Sequence, residues 1–79
     1  MVKLTIYSTT HCHLCEQAEV MLNKLADKYD IQWQIVEISE QNELIERYGL
    51  TIPVVLHMGN LKELNWPFSY ADLEAFTST

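Results

Sequence analysis

Basic residues are scarce in this chain. Five Lys and Arg stand against eleven Asp and Glu in 79 residues, a formal charge of −6. Nucleic acid and anionic membranes are poor partners for such a chain, because no basic stripe is available to neutralise phosphates. Long apolar runs are also missing. None approaches the ~20 residues that span a bilayer, and the apolar start at 1–7 gives way to Ser8, Thr9 and Thr10 without the pattern of a secretory signal. The expected compartment is the cytoplasm, where thiols are kept reduced and structural disulfides are rare. Cysteine is confined to Cys12 and Cys15. A link between residues three apart closes too small a loop to brace a fold, so the pair points to chemistry rather than to architecture. No linker, repeat or low-complexity stretch divides the chain, and 1–79 reads as a single small domain.

What is present is strongly periodic. Residues 2–7 alternate and are rich in β-formers, the pattern of a first strand. After a polar loop, Leu14, Ala18, Met21, Leu22, Leu25 and Tyr29 recur at helical spacing and predict a helix over 13–29. Glu16 and Glu19 fall in its early turns and Lys24 and Lys28 in its late ones, the sense favoured by the helix dipole. Residues 31–38 form a second alternating run. Ser39 is placed to cap a short helix over 40–48 that ends before Gly49. Residues 51–57 read as a third strand, 58–60 as a turn and 61–64 as a fourth strand, so these two form a hairpin. Ser69 caps a last helix over 70–76 with Leu73 and Phe76 inward, and 77–79 is a tail. The order is β-α-β-α-β-β-α, an α/β class in which the opening strand–helix–strand unit implies a parallel pair with a right-handed crossover.

The segment His11-Cys12-His13-Leu14-Cys15 carries the chemistry. With Cys12 at the start of the first helix, Cys15 lies one turn on, and residues three apart on a helix are neighbours at roughly 5–6 Å between Cβ atoms. That separation suits a disulfide that opens and closes with little backbone movement. Exchange requires thiolate, and an ordinary cysteine with a pKa of ~8.5 is mostly protonated at neutral pH. Free N–H groups at a helix start favour the anion. Cys12 receives that field most directly and is the expected nucleophile; Cys15, deeper in the helix, is the expected resolving thiol. His11 and His13 flank Cys12 and add positive charge when protonated.

A strand, then Cys-x-x-Cys opening a helix, then Thr51-Ile52-Pro53 before another strand resembles the thioredoxin fold. Within it the chain is similar to glutaredoxin-like proteins, through the segment from Leu4 to Cys15 together with Thr51-Ile52-Pro53 and Trp66-Pro67-Phe68. The resemblance implies a four-stranded mixed sheet flanked by helices, and a thiol–disulfide oxidoreductase acting on protein or glutathione mixed disulfides. It implies a cis peptide bond before Pro53, with that proline beside the Cys12 sulfur, and backbone groups of Ile52 offered to a bound peptide or glutathione. His11, His13, Ile52 and Pro53 are then the expected substrate-binding residues. The chain departs from the usual pattern at two places. Glutaredoxins usually have Pro-Tyr between the cysteines where this chain has His13-Leu14. They also carry a Gly-Gly pair and an Asp that hold glutathione's γ-glutamyl end, where this chain has Phe68-Ser69-Tyr70-Ala71-Asp72, with only the Asp kept.

No tightly bound cofactor or metal is expected; glutathione is the candidate co-substrate. The expected partners are a disulfide-containing protein or glutathione, with a thioredoxin-type reductase as electron source, and the chain is expected to be a monomer. A second reading, from a different class, is a non-catalytic thioredoxin-like module that binds a metal, an iron–sulfur cluster or a protein. His11, Cys12, His13 and Cys15 are soft ligands, but structural zinc sites draw four ligands from separated segments. A second C-x-x-C or an H-x-x-x-H pair is missing, and His57 lies far along the chain. Five residues have plainer readings: His57 as a strand residue, Asp72 as a first-turn acid behind the Ser69 cap, and Trp66-Pro67-Phe68 as packing for the last helix.

Overall fold

The computed structural model describes residues 1–10 and 12–78. The elements are β1 (Val2–Ser8), α1 (His13–Ala26), β2 (Ile31–Glu37), a 3₁₀ turn (Ile38–Glu40), α2 (Asn42–Tyr48), β3 (Val54–His57), β4 (Glu63–Asn65) and α3 (Tyr70–Thr77). The strands form one sheet in the order β2-β1-β3-β4. β1 and β2 are parallel, with Val2 opposite Ile31 and Ser8 opposite Glu37. β3 runs antiparallel to β1, with Tyr7 opposite Val54 and Leu4 opposite His57, and β4 closes the hairpin with Asn65 opposite Val54. The sheet is therefore mixed and four-stranded, as expected.

Period-two alternation gives each strand two faces, and each face carries a cluster of packed apolar side chains. On one side Leu4, Ile6, Ile31 and Val55 meet Ala18, Leu22 and Leu25 of α1 and Leu73 of α3, with Phe68 at the edge of the same cluster. On the other side Tyr7 and Val54 meet Ile38 and Tyr48 of the shorter α2 side. The Tyr7 and Tyr48 rings stack at 4.2 Å between centroids. Among the described residues no helix is long and apolar enough to cross a membrane.

Several boundaries differ from those expected. α1 ends at Ala26, not Tyr29. The chain must reverse to lay β2 beside β1, and the Val2 N–H donates to the Asp30 carbonyl at 3.0 Å to fasten that reversal. Tyr29 instead reaches across to α3, its hydroxyl donating to Glu74 at 3.1 Å. The buried line of α1 runs through Cys15, Ala18, Leu22 and Leu25, and Leu14 is 41% exposed. Leu14 precedes Cys15 by one residue, about 100° around the helix, so only one of the two can face the core. Ser39 does not cap α2: Glu37 takes the Ser39 N–H and hydroxyl, and Gln41 stands at the α2 N-cap without a side-chain cap bond. β3 begins at Val54 because the amides of Thr51 and Ile52 both donate to the Tyr48 carbonyl and finish α2 instead. β4 begins at Glu63 because Leu61, at φ 61°, closes the turn with its N–H on the His57 carbonyl. Ser69 caps α3 as expected, in a full capping box with Asp72.

Two polar groups support this frame in ways the sequence pattern does not display. His57 is buried, and its Nδ1 accepts the Gly59 N–H at 3.0 Å, so the ring organises the β3–β4 turn as well as the strand. The Tyr48 hydroxyl donates to the Glu63 carboxylate, joining α2 to β4. Burial, then this bond, then the Glu63 charge hold the Tyr48 phenol well above the usual tyrosine range. The native state therefore keeps a proton that the unfolded chain releases near pH 10.0. Stability from this group is complete below that pH and is lost as the pH rises above it. Urea denaturation at intervals between about pH 9 and 11 should show stability falling more steeply for the wild type than for Tyr48→Phe; parallel curves would refute the assignment. At neutral pH the substitution should cost about 0.5–1.5 kcal/mol.

Candidate functional site

The C-terminal end of β1 is where the sheet delivers its chemistry. β1 ends at Ser8, a short loop follows, and Cys12 stands at the N-cap of α1 with extended backbone (φ −96°, ψ 104°). An N-cap side chain normally offers an oxygen to the free amides of the first turn. Here sulfur takes that place: the Cys15 N–H donates to Cys12 Sγ at 3.1 Å. The Glu16 N–H donates to the Cys12 carbonyl at 3.1 Å and starts the helix. Cys12 and Cys15 are joined as a disulfide with Cα atoms 5.2 Å apart. Cys12 is half-buried, whereas Cys15 is 4% exposed and belongs to the buried line of α1. Cys12 is thus the more exposed of the two residues, while Cys15 is shielded.

β3 brings the second part of the site to the same end. Tyr7 lies opposite Val54, so Pro53 continues beside Ser8, at the mouth of the loop that leads to Cys12. The Ile52–Pro53 bond is cis, as the resemblance implied, and so is Trp66–Pro67. Pro53 is fully buried, and its carbonyl accepts the Trp66 N–H at 3.2 Å. Ile52 is half-buried against the cluster of Ile38, Tyr48 and Val54. Its N–H already donates to the Tyr48 carbonyl at 3.0 Å, which takes that amide away from any other acceptor.

The remaining expected site residues separate. His13 is the first residue of α1, with its side chain 93% exposed and Nδ1 3.7 Å from Glu16. His11 lies outside the described residues. Asp72 is held in the α3 capping box, where its carboxylate accepts the Ser69 N–H at 2.9 Å. Trp66 and Phe68 meet edge to face at 5.0 Å between centroids, and Phe68 is buried in the core. Among the described residues no three His, Cys, Asp or Glu side chains converge to hold a metal. A cleft lined by Lys3, Gln32, Trp33, Gln34 and Met58 opens at the opposite end of the sheet and holds none of the site residues.

One site residue escaped the sequence reading. Glu37 looks like one of a run of solvated acids, yet its register opposite Ser8 puts it beside the cysteine loop. The Ser39 hydroxyl and amide hold its carboxyl below the usual carboxylate range, against an opposing effect of burial, with smaller contributions from the Thr9 hydroxyl and the Thr10 amide. Glu37 therefore stands beside the start of the loop that leads to Cys12. Nothing local marks this, because the contact depends on strand register.

The family description "Glutaredoxin-like domain (DUF836)" matches residues 3–77. Among curated proteins no sequence matches the chain. Among solved structures, protein XcR50 of X. campestris is 33% identical, with 95% of each chain covered and a TM-score of 0.84. Protein Ne2328 of Nitrosomonas europaea is 26% identical over 96% of this chain and 91% of that one, with a TM-score of 0.83. A thioredoxin-2 from a malaria parasite, 19% identical over 99% of this chain and 82% of that one at a TM-score of 0.75, shares the fold.

Proposed function

Because the chain belongs to the glutaredoxin-like domain family, whose redox character its C-x-x-C pair supports, we propose that it is a thiol–disulfide oxidoreductase acting on protein or glutathione mixed disulfides. Cys12 is the nucleophile and Cys15 the resolving thiol. The observation that carries this reading is the position of Cys12: a sulfur at a helix N-cap, accepting a backbone N–H at 3.1 Å. That hydrogen bond and the helix dipole both favour the thiolate.

In the reaction, Cys12 thiolate attacks one sulfur of the substrate disulfide. The substrate S–S bond breaks, a Cys12–substrate disulfide forms, and the first substrate thiolate leaves and takes a proton. Cys15 then loses its proton and attacks Cys12 Sγ. The mixed disulfide breaks and the second substrate thiol departs. The substrate gains two electrons and two protons, and the protein is left with the Cys12–Cys15 disulfide. A thiol reductant, glutathione or a thioredoxin-type reductase, returns the pair to the dithiol. Pro53 and Ile52 border the approach to Cys12 and orient the substrate backbone.

Alkylation tests the central claim. In the reduced protein iodoacetamide should modify Cys12 first, with a pH midpoint below the ~8.5 of an ordinary thiol, read by peptide mass spectrometry across a pH series. A Cys12 that alkylates no faster than a free cysteine at every pH would defeat the proposal.

A further inference from the structure

The lysines of this chain keep to one end of the sheet, and acids occur at both. Four acidic residues cluster at the end that carries the cysteine pair. Glu16 lies in the first turn of α1 and Glu43 in that of α2. Glu37 lies opposite Ser8, and Glu40 ends the 3₁₀ turn that follows it. The four lysines lie at the other end. Lys3 is at the start of β1, where its carbonyl accepts the Met58 N–H, and Lys62 is in the β3–β4 turn, where its carbonyl accepts the His57 N–H. Lys24 is in the last turn of α1, and Lys28 follows in the reversal beyond it. Arg47, the fifth cation, is drawn over the Tyr48 ring at 5.3 Å from its centroid. His13 is paired with Glu16 rather than turned to the sulfurs. At the lysine end Asp27, Asp30, Glu63 and Glu74 offset the four lysines, so the excess of negative charge lies toward the cysteine end, where Glu16, Glu40 and Glu43 are exposed and Glu37 is half-buried.

From this segregation we infer that the site selects disulfides in cationic surroundings, such as a disulfide set in the basic surface of a partner protein, and disfavours anionic ones, the disulfide of glutathione among them. The inference rests on the oxidoreductase reading and narrows its substrate class. Its physical basis is steering: a surface of one sign raises the local concentration and encounter rate of ligands of the other sign, by 10-fold or more, and loses that effect as salt screens it.

The test uses single turnovers, which need no external reductant. Pre-reduced protein is mixed with cystamine, a dication, with oxidised glutathione, a dianion, or with neutral hydroxyethyl disulfide. Formation of the Cys12–Cys15 disulfide is read by acid quench and mass spectrometry. Each rate is divided by that of 2-mercaptoethanol with the same disulfide, to remove differences in intrinsic reactivity. At about 10 mM ionic strength, where the screening length is about 30 Å, the normalised cystamine rate should exceed the glutathione rate by about 10-fold or more. The ratio should fall toward one at about 0.5 M salt. Glu40→Lys with Glu43→Lys should lower the low-salt ratio. Equal normalised rates for cation and anion at low salt, with the neutral disulfide still reacting, would overturn the charge preference and leave the oxidoreductase standing. Failure of all three disulfides to oxidise the protein faster than the reference thiol reacts would overturn both.

Discussion

Cys12→Ser is expected to reduce disulfide exchange to the rate of the uncatalysed background. Serine keeps an acceptor at the N-cap, so α1 should stay capped and the fold intact. Its hydroxyl does not ionise near neutral pH and cannot attack sulfur. Cys15 cannot take over, because it is 4% exposed and faces the core with Ala18 and Leu22. Cys15→Ser should behave differently. The first attack survives, but nothing resolves the product, so a stable Cys12–substrate disulfide accumulates and shows as a mass increase in the intact protein. Single-turnover kinetics with hydroxyethyl disulfide, followed by intact-mass measurement, distinguish the two variants. Undiminished exchange in Cys12→Ser, or failure of Cys15→Ser to retain a mixed disulfide, would remove the roles assigned to the two sulfurs.

The second large effect is on stability. Leu22 is fully buried on α1 and belongs to the cluster that joins α1 to Leu4, Ile6, Val55 and Leu73. Leu22→Ala should cost about 2–5 kcal/mol, from lost apolar burial plus the cavity left behind. A chain of this length has a total stability of about 4–12 kcal/mol, so the variant stands near the folding threshold, with its melting temperature lowered by about 10–30 °C. Val20, 55% exposed on the same helix, is the control: Val20→Ala should shift stability by no more than about 0.5 kcal/mol. Thermal melts followed by circular dichroism compare the two. Similar melting temperatures would mean that α1 is not seated as described.

Much of this fold was legible in local patterns. The α1 periodicity placed Ala18, Leu22 and Leu25 in the core, and Ser69 with Asp72 three residues later marked the start of α3. Both are read over a turn or two of chain, where spacing decides which side chains share a face. Misplaced boundaries fell where a distant group decided the outcome. Ser39 has the chemistry of a cap, but Glu37 took its amide and hydroxyl. Thr51 and Ile52 have strand propensity, but the Tyr48 carbonyl took their amides. In each case two local preferences competed for one hydrogen-bonding group, and the winner depended on packing.

The site divides along the same line. The amino-acid sequence alone determined that two sulfurs, one turn apart, open a helix behind a strand, because that spacing is set by backbone geometry within five residues. Only the tertiary structure decided that Pro53 comes beside Ser8 at the mouth of the cysteine loop, that Glu37 comes opposite Ser8, and that four acids lie at the cysteine end while the four lysines lie at the other. Those relations join residues up to some forty positions apart, and they exist only once strand register has brought the ends of β1, β2 and β3 together.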